Sequence, residues 1–249
     1  MGTSTRSVLG HGGRRRRSPI SARALGSPLL LLNLKSYPEA LGPGAERIGR
    51  SLALLGRRAH VAVALAPATC DLGWLAHELT IPVLSQHVDP LDAGARTGYL
   101  VPAAVAACGA KGSLLNHSEH PMAPREVADG VRRLNALGLS AIVCARDVRT
   151  AARLARTKPP YLAVEPPELI GGEVSVSTAR PEVVSGAVRA VRKVSPRTRV
   201  LCGAGVHGAE DVRKALELGS SGVLVASAVA RSPRPAAAIR DLLDGFGPP

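Results

Sequence analysis

Three short stretches of this chain place an ammonium, an imidazole and a carboxylate at the ends of apolar runs: Asn33-Leu34-Lys35, Asn116-His117-Ser118-Glu119 and Glu165-Pro166-Pro167-Glu168. A carboxylate base facing a neutral imidazole beside a cation suits removal of a proton from a carbon next to a carbonyl. Glu165 would take the proton, while His117 and Lys35 would stabilise the oxygen on which negative charge develops. With a two-residue strand period, Asn33 and Lys35 point to the same side. Two further stretches, Cys202-Gly203-Ala204-Gly205 and Ala226-Ser227, are built of small residues. Backbone N–H groups can approach an anion closely there, as a phosphate site requires. Singly, each residue has a plainer reading: an ion-pair partner for the glutamate, a satisfied structural histidine, a solvated edge lysine, an ordinary turn for Gly-Ala-Gly. None of these readings explains why all of them fall at equivalent points of one repeating pattern.

The pattern consists of eight apolar runs, at residues 29–36, 61–67, 83–88, 112–118, 140–145, 161–166, 199–205 and 222–227. They are too continuous for half-exposed strands and read as strands buried on both faces of a parallel sheet. Amphipathic segments alternate with them. Residues 45–55 align Ile48, Leu52 and Leu55; residues 124–137 align Val127, Val131 and Leu134; residues 181–194 align Val184, Val188 and Val191. Further helices are expected at 210–218 and 235–244, and shorter ones near 69–78, 101–108 and 147–156. Eight strands alternating with helices predict an α/β chain forming a (β/α)8 TIM barrel, a parallel eight-stranded barrel with outer helices. In such a barrel the strand C-termini converge on one mouth, with a phosphate site after strands seven and eight. An open doubly wound sheet is the alternative, but no G-x-G-x-x-G opens the first strand-to-helix turn, which disfavours a dinucleotide domain.

With 249 residues, 45% of them hydrophobic, the chain can bury a sizeable core. No apolar run approaches the ~18 residues of a membrane helix, so a soluble protein is expected. Cys70, Cys108, Cys144 and Cys202 have no metal-ligand spacing, and two lie within apolar runs, as reduced thiols do. This favours a reducing compartment, the cytoplasm, and no metal or cofactor is expected. The net charge is +13. Residues 1–27 carry six arginines and no acid, a basic N-terminal extension expected to be disordered. The remainder, 28–249, is expected to form a single barrel domain. The extension reads as a dispensable segment, a nucleic-acid contact or a targeting segment. With only five aromatics and no basic run interleaved with them, a stacking platform for single strands is disfavoured.

The chain resembles the triosephosphate isomerases of the short archaeal type. The resemblance rests on Asn33-Leu34-Lys35, Gln86-His87-Val88-Asp89-Pro90, Leu114-Leu115-Asn116-His117-Ser118-Glu119, Ala163-Val164-Glu165-Pro166-Pro167-Glu168-Leu169-Ile170-Gly171, Leu201-Cys202-Gly203-Ala204-Gly205 and Ala226-Ser227. It spans roughly residues 29–246. It implies interconversion of dihydroxyacetone phosphate and glyceraldehyde 3-phosphate through an enediolate, in glycolysis and gluconeogenesis. It further implies the division of labour known for that family. Glu165 is the base and His117 the neutral electrophile, its charged form disfavoured by a helix N-terminus. Lys35 supplies positive charge, with Glu119 holding it, and Asn33 positions the substrate. Leu34, Ile170, Gly171, Gly205, Ala226 and Ser227 complete the substrate site, and residues 166–177 form a lid. His87 is assigned to structure. A homotetramer or homodimer is implied. Two departures from the family pattern bear on affinity and lid kinetics: Gly172-Glu173 in the lid, and Ala228 where the family has glycine. Another phosphate-binding barrel, such as a phosphoribosyl isomerase, would carry Asp or Cys at the ends of strands one and six, where Asn33, Lys35 and Glu165 stand.

Overall fold

The computed structural model describes residues 25–166 and 176–247. Eight parallel strands run β1 (Leu29–Asn33), β2 (Ala62–Ala66), β3 (Leu84–Ser85), β4 (Gly112–Leu115), β5 (Ser140–Ala145), β6 (Tyr161–Val164), β7 (Arg199–Cys202) and β8 (Gly222–Val225). Their hydrogen-bonded order is β2-β1-β8-β7-β6-β5-β4-β3. A parallel bridge between Leu65 and Val83, with Leu65 N–H donating to Pro82 O at 3.0 Å, brings β2 and β3 together and closes the barrel. All eight expected strands are present.

Successive side chains alternate between two cores, as the pleat demands. Leu29, Leu31, Ala64, Leu114, Ile142 and Leu201 are among those filling the barrel interior. Leu30, Leu32, Val63, Leu115, Val143 and Val200 face outward and meet the helices. Strands buried on both faces follow directly from these runs. Tyr161 plugs the inner core, fully buried. Its hydroxyl donates to Gly26 O at 2.7 Å and accepts from Arg199 Nη1 at 3.0 Å, so the one polar atom of this ring is satisfied.

The helices are α1 (Pro43–Ala59), α2 (Leu72–Glu78), α3 (Pro102–Ala107), α4 (Pro124–Ala136), α5 (Val148–Leu154), α6 (Val176–Ala179), α7 (Pro181–Val194), α8 (Ala209–Glu217), α9 (Ser227–Ala230) and α10 (Pro235–Asp244). Five of them start on proline, which lacks the N–H that a first helical residue cannot pair and has its φ preset. The first helix is longer than the predicted 45–55. Proline starts it, and His60 ends it in the left-handed conformation, donating its N–H to the carbonyls of Arg57 and Gly56. The segment near 69–78 divides into a 3₁₀ turn, Thr69–Asp71, and α2. Among the described residues, no helix is long and apolar enough to cross a membrane, and no three His, Cys, Asp or Glu side chains are placed to hold a metal ion. All four cysteines are free thiols.

Candidate active site

Because the strands are parallel, their C-terminal ends share one rim. Asn33, Lys35, His117, Glu165, Gly203, Gly205, Ala226 and Ser227 line a single cavity there, together with Val206, His207, Leu224 and Val225. Leu34 does not: it is fully buried in the outer core, its N–H bonded to Ala66 O at 2.9 Å. Ile170 and Gly171, with Gly172 and Glu173 and nearly all of the expected lid, lie outside the described residues. Ala228 is half-buried against the outer core.

Glu165 follows β6 and continues its ladder, its N–H donating to Ala145 O at 2.8 Å. The side chain is 3% exposed, and Oε2 has no hydrogen-bond partner among the described residues. Burial pushes its carboxyl up to about 8, while the thiol of Cys144 and the charge of Lys35 pull it down. The residue is therefore a buried carboxyl that holds its proton more tightly than an exposed one.

His117 Nε2 stands 3.8 Å from Glu165 Oε1. Glu119 N–H donates to His117 Nδ1 at 3.2 Å. Nδ1 must then carry the lone pair, so the ring proton of the neutral tautomer sits on Nε2, the nitrogen 3.8 Å from Glu165. Burial lowers the imidazole's proton affinity, Glu119 opposes this, and the nearby Lys35 lowers it further. The family scheme attributes neutrality to a helix N-terminus. Here residues 118–120 form a turn and α4 begins only at Pro124, and it is burial and the Lys35 charge that lower the imidazole's proton affinity.

The turn carrying His117 is anchored by Asn116. This residue takes a left-handed φ of 60°, donates Nδ2 to Cys144 O at 2.9 Å and accepts Met122 N–H on Oδ1 at 2.9 Å. Asparagine tolerates this conformation better than most residues. The sequence presented Asn116 only as part of a motif; its anchoring role depends on β5 lying beside β4.

Lys35 is also left-handed, with φ 49°, and its N–H donates to Asn33 Oδ1 at 3.0 Å. Its ammonium meets Glu119 Oε1 at 2.6 Å, with the lysine side chain 11% and the glutamate 57% exposed. Gly205, which lines the same cavity as Ala226 and Ser227, adopts φ 65°, a left-handed conformation that glycine takes without strain. His87 is not among the residues lining this cavity. It stacks on His120 with ring centroids 3.7 Å apart, and its Nε2 is 3.6 Å from Asp89 Oδ1.

Gly203 matters in a way that Gly-Ala-Gly composition alone does not disclose. A Cβ there would lie 2.6 Å from Glu165 Cγ and 3.1 Å from its Oε1. Gly203→Ala is expected to displace the carboxylate and lower kcat/KM by about 10–100-fold, since ångström misplacements cost up to about 10². Steady-state kinetics with a circular-dichroism check of folding tests this; a folded variant with parental kcat/KM would mean that the carboxylate has room to spare.

Comparison with known proteins adds to this geometry. The family model described as triosephosphate isomerase matches residues 28–241. The chain is similar to the triosephosphate isomerase of Methanosarcina acetivorans, 42% identical over 219 residues, covering 88% of this chain and 99% of the relative. It is 44% identical over 202 residues to that of Methanothermus fervidus, covering 81% and 91% of the two chains. It is 45% identical over 216 residues to that of Cenarchaeum symbiosum, covering 87% and 96%.

Proposed function

The chain belongs to the triosephosphate isomerase family, an enzyme that interconverts triose phosphates, and from this premise we propose how its strand-end residues divide the reaction. Glu165 removes a proton from C1 of dihydroxyacetone phosphate and returns it to C2, giving glyceraldehyde 3-phosphate. His117 stays neutral and directs its Nε2 proton at the oxygen that becomes the enediolate. Lys35 adds positive charge to the same oxygens, and Asn33 sets both the lysine backbone and the substrate. Gly205, Ala226 and Ser227 hold the phosphate through backbone groups, with Ile170 and Gly171 contributing from the lid. Glu119 restrains the lysine ammonium.

The observation that carries this reading is a buried carboxyl 3.8 Å from the Nε2 of an imidazole whose Nδ1 accepts the Glu119 N–H, which leaves Nε2 as the donor of the neutral ring. A protonated imidazole would be attracted to the carboxylate as an ion pair and would quench the base; a neutral one leaves it free. The reading takes residues 1–27 as separate from catalysis, the barrel as self-associating, and the reaction as a step of glycolysis and gluconeogenesis in the cytoplasm.

A coupled assay with glyceraldehyde 3-phosphate, run across pH, tests it. The dependence of kcat/KM on pH reports groups of the free enzyme. Glu165 must be ionised to accept a proton, so kcat/KM should fall about tenfold for each pH unit below about 8. A profile flat from pH 6 to 9 would remove Glu165 from the role of base.

A further inference from the structure

The motif Gln86-His87-Val88-Asp89-Pro90 contributes one side chain that the catalytic scheme leaves without a task. Gln86 follows β3 directly. Its Nε2 donates to Lys35 O at 2.9 Å and to Ala66 O at 3.1 Å. A single amide thus joins the ends of β1, β2 and β3 with both of its protons. β3 itself has only two residues in the ladder, Leu84 and Ser85. The strand stops where this side chain takes over the pairing of neighbouring carbonyls.

Lys35 is the residue that needs such a hold. Its φ of 49° is unfavourable for a side chain with a Cβ, and such a conformation persists only where the surroundings over-determine it. Asn33 Oδ1 restrains the peptide on the N-terminal side of Lys35. Gln86 restrains its carbonyl on the other side. The ammonium is tied to Glu119, which is exposed and lies on a different loop. If the Lys35 carbonyl were released, the backbone would relax toward negative φ, and the direction of the whole side chain would change with it.

We propose that Gln86 is a positioning residue for the reaction: its amide pins the carbonyl of Lys35 and so holds that lysine in the left-handed conformation that aims its ammonium into the cavity. This rests on the reading of Lys35 as a substrate-facing charge. Gln86 acts through Lys35, by way of the lysine carbonyl.

A double-mutant cycle tests it, because such a cycle isolates the coupling between two residues. Gln86→Met keeps the length of the side chain and removes both donors. It is expected to lower kcat/KM by about 10–100-fold, to weaken inhibition by 2-phosphoglycolate, and to leave the circular-dichroism spectrum unchanged. In the Lys35→Met background, the same substitution is expected to change kcat/KM by less than about twofold. Full, additive losses in the two backgrounds would show that Gln86 supports the barrel rim in general and would overturn the proposal, as would a Gln86→Met enzyme with parental kinetics. If Gln86→Met does not fold, Gln86→Asn, which retains the amide one methylene short of the two carbonyls, replaces it in the cycle with the same expectation. Should Lys35→Met alone leave kcat/KM intact, the substrate-facing role of Lys35 fails, an outcome separate from loss of the Gln86 coupling.

Discussion

Glu165→Ala is expected to lower kcat by about 10²–10⁴-fold, the usual cost of removing a positioned general base, equivalent to roughly 3–5.5 kcal/mol in the barrier. The backbone should hold, since the N–H of residue 165 keeps its bond to Ala145 O whatever the side chain. The substitution should also be visible in stability. The carboxyl of Glu165 is raised from 4.5 to about 8 by burial, so the folded protein favours its protonated form. Its contribution to stability is fully present below the unfolded value and is lost as pH rises through about 8, because the folded state must then bury an ion without a full set of partners. Glu165→Ala removes this pH dependence. The difference in Tm, variant minus parent, is therefore expected to increase from pH 5 to pH 9. Kinetics and thermal melts at those two pH values check both halves; a folded variant within threefold of parental kcat would refute the base assignment.

Lys35→Met is expected to cost about 10²–10³-fold in kcat/KM, the scale for losing one preorganised charge or donor at a developing oxyanion. Its effect on stability should be small. The lost partner, Glu119, is 57% exposed, and exposed ion pairs are worth only about 0–1 kcal/mol. A second consequence follows from the position of the ammonium. Lys35 holds the Glu165 carboxyl down, so without it the acid limb of the kcat/KM profile should move to higher pH. Inhibition by 2-phosphoglycolate should weaken in parallel. An unchanged inhibition constant together with an unmoved acid limb would show that the ammonium does not act within the cavity.

Which of these features are legible in the sequence follows from how local their causes are. The eight strands could be read because each carries its own record of double-sided burial, as in Leu29–Asn33 and Ser140–Ala145. The longer helices were legible from apolar spacing, and α7 and α10 begin and end at the expected residues. Strand ends were harder. The apolar pattern of the first run extends through Ser36, but the strand stops at Asn33, and Lys35 beyond it is left-handed. The run at 83–88 shortens to two residues, Leu84 and Ser85, and Gln86 lies just beyond them with its side chain, not its backbone, bonded to the neighbouring strand ends.

The sequence by itself determined the barrel, the rim on which the chemistry gathers, and the types of residue that stand there, because strand periodicity and parallel topology suffice to bring every strand's C-terminal end to one side. The tertiary structure alone decided the states of those residues. Lys35 and Glu119 are 84 positions apart yet share an ion pair, and Asn116 is anchored through a strand 28 positions away. The neutral tautomer of His117, the raised carboxyl of Glu165 and the need for glycine at 203 depend on burial and on contacts across strands to within tenths of an ångström. Such quantities depend on the distances between atoms that closure of the barrel sets, and no local pattern of residue types encodes them.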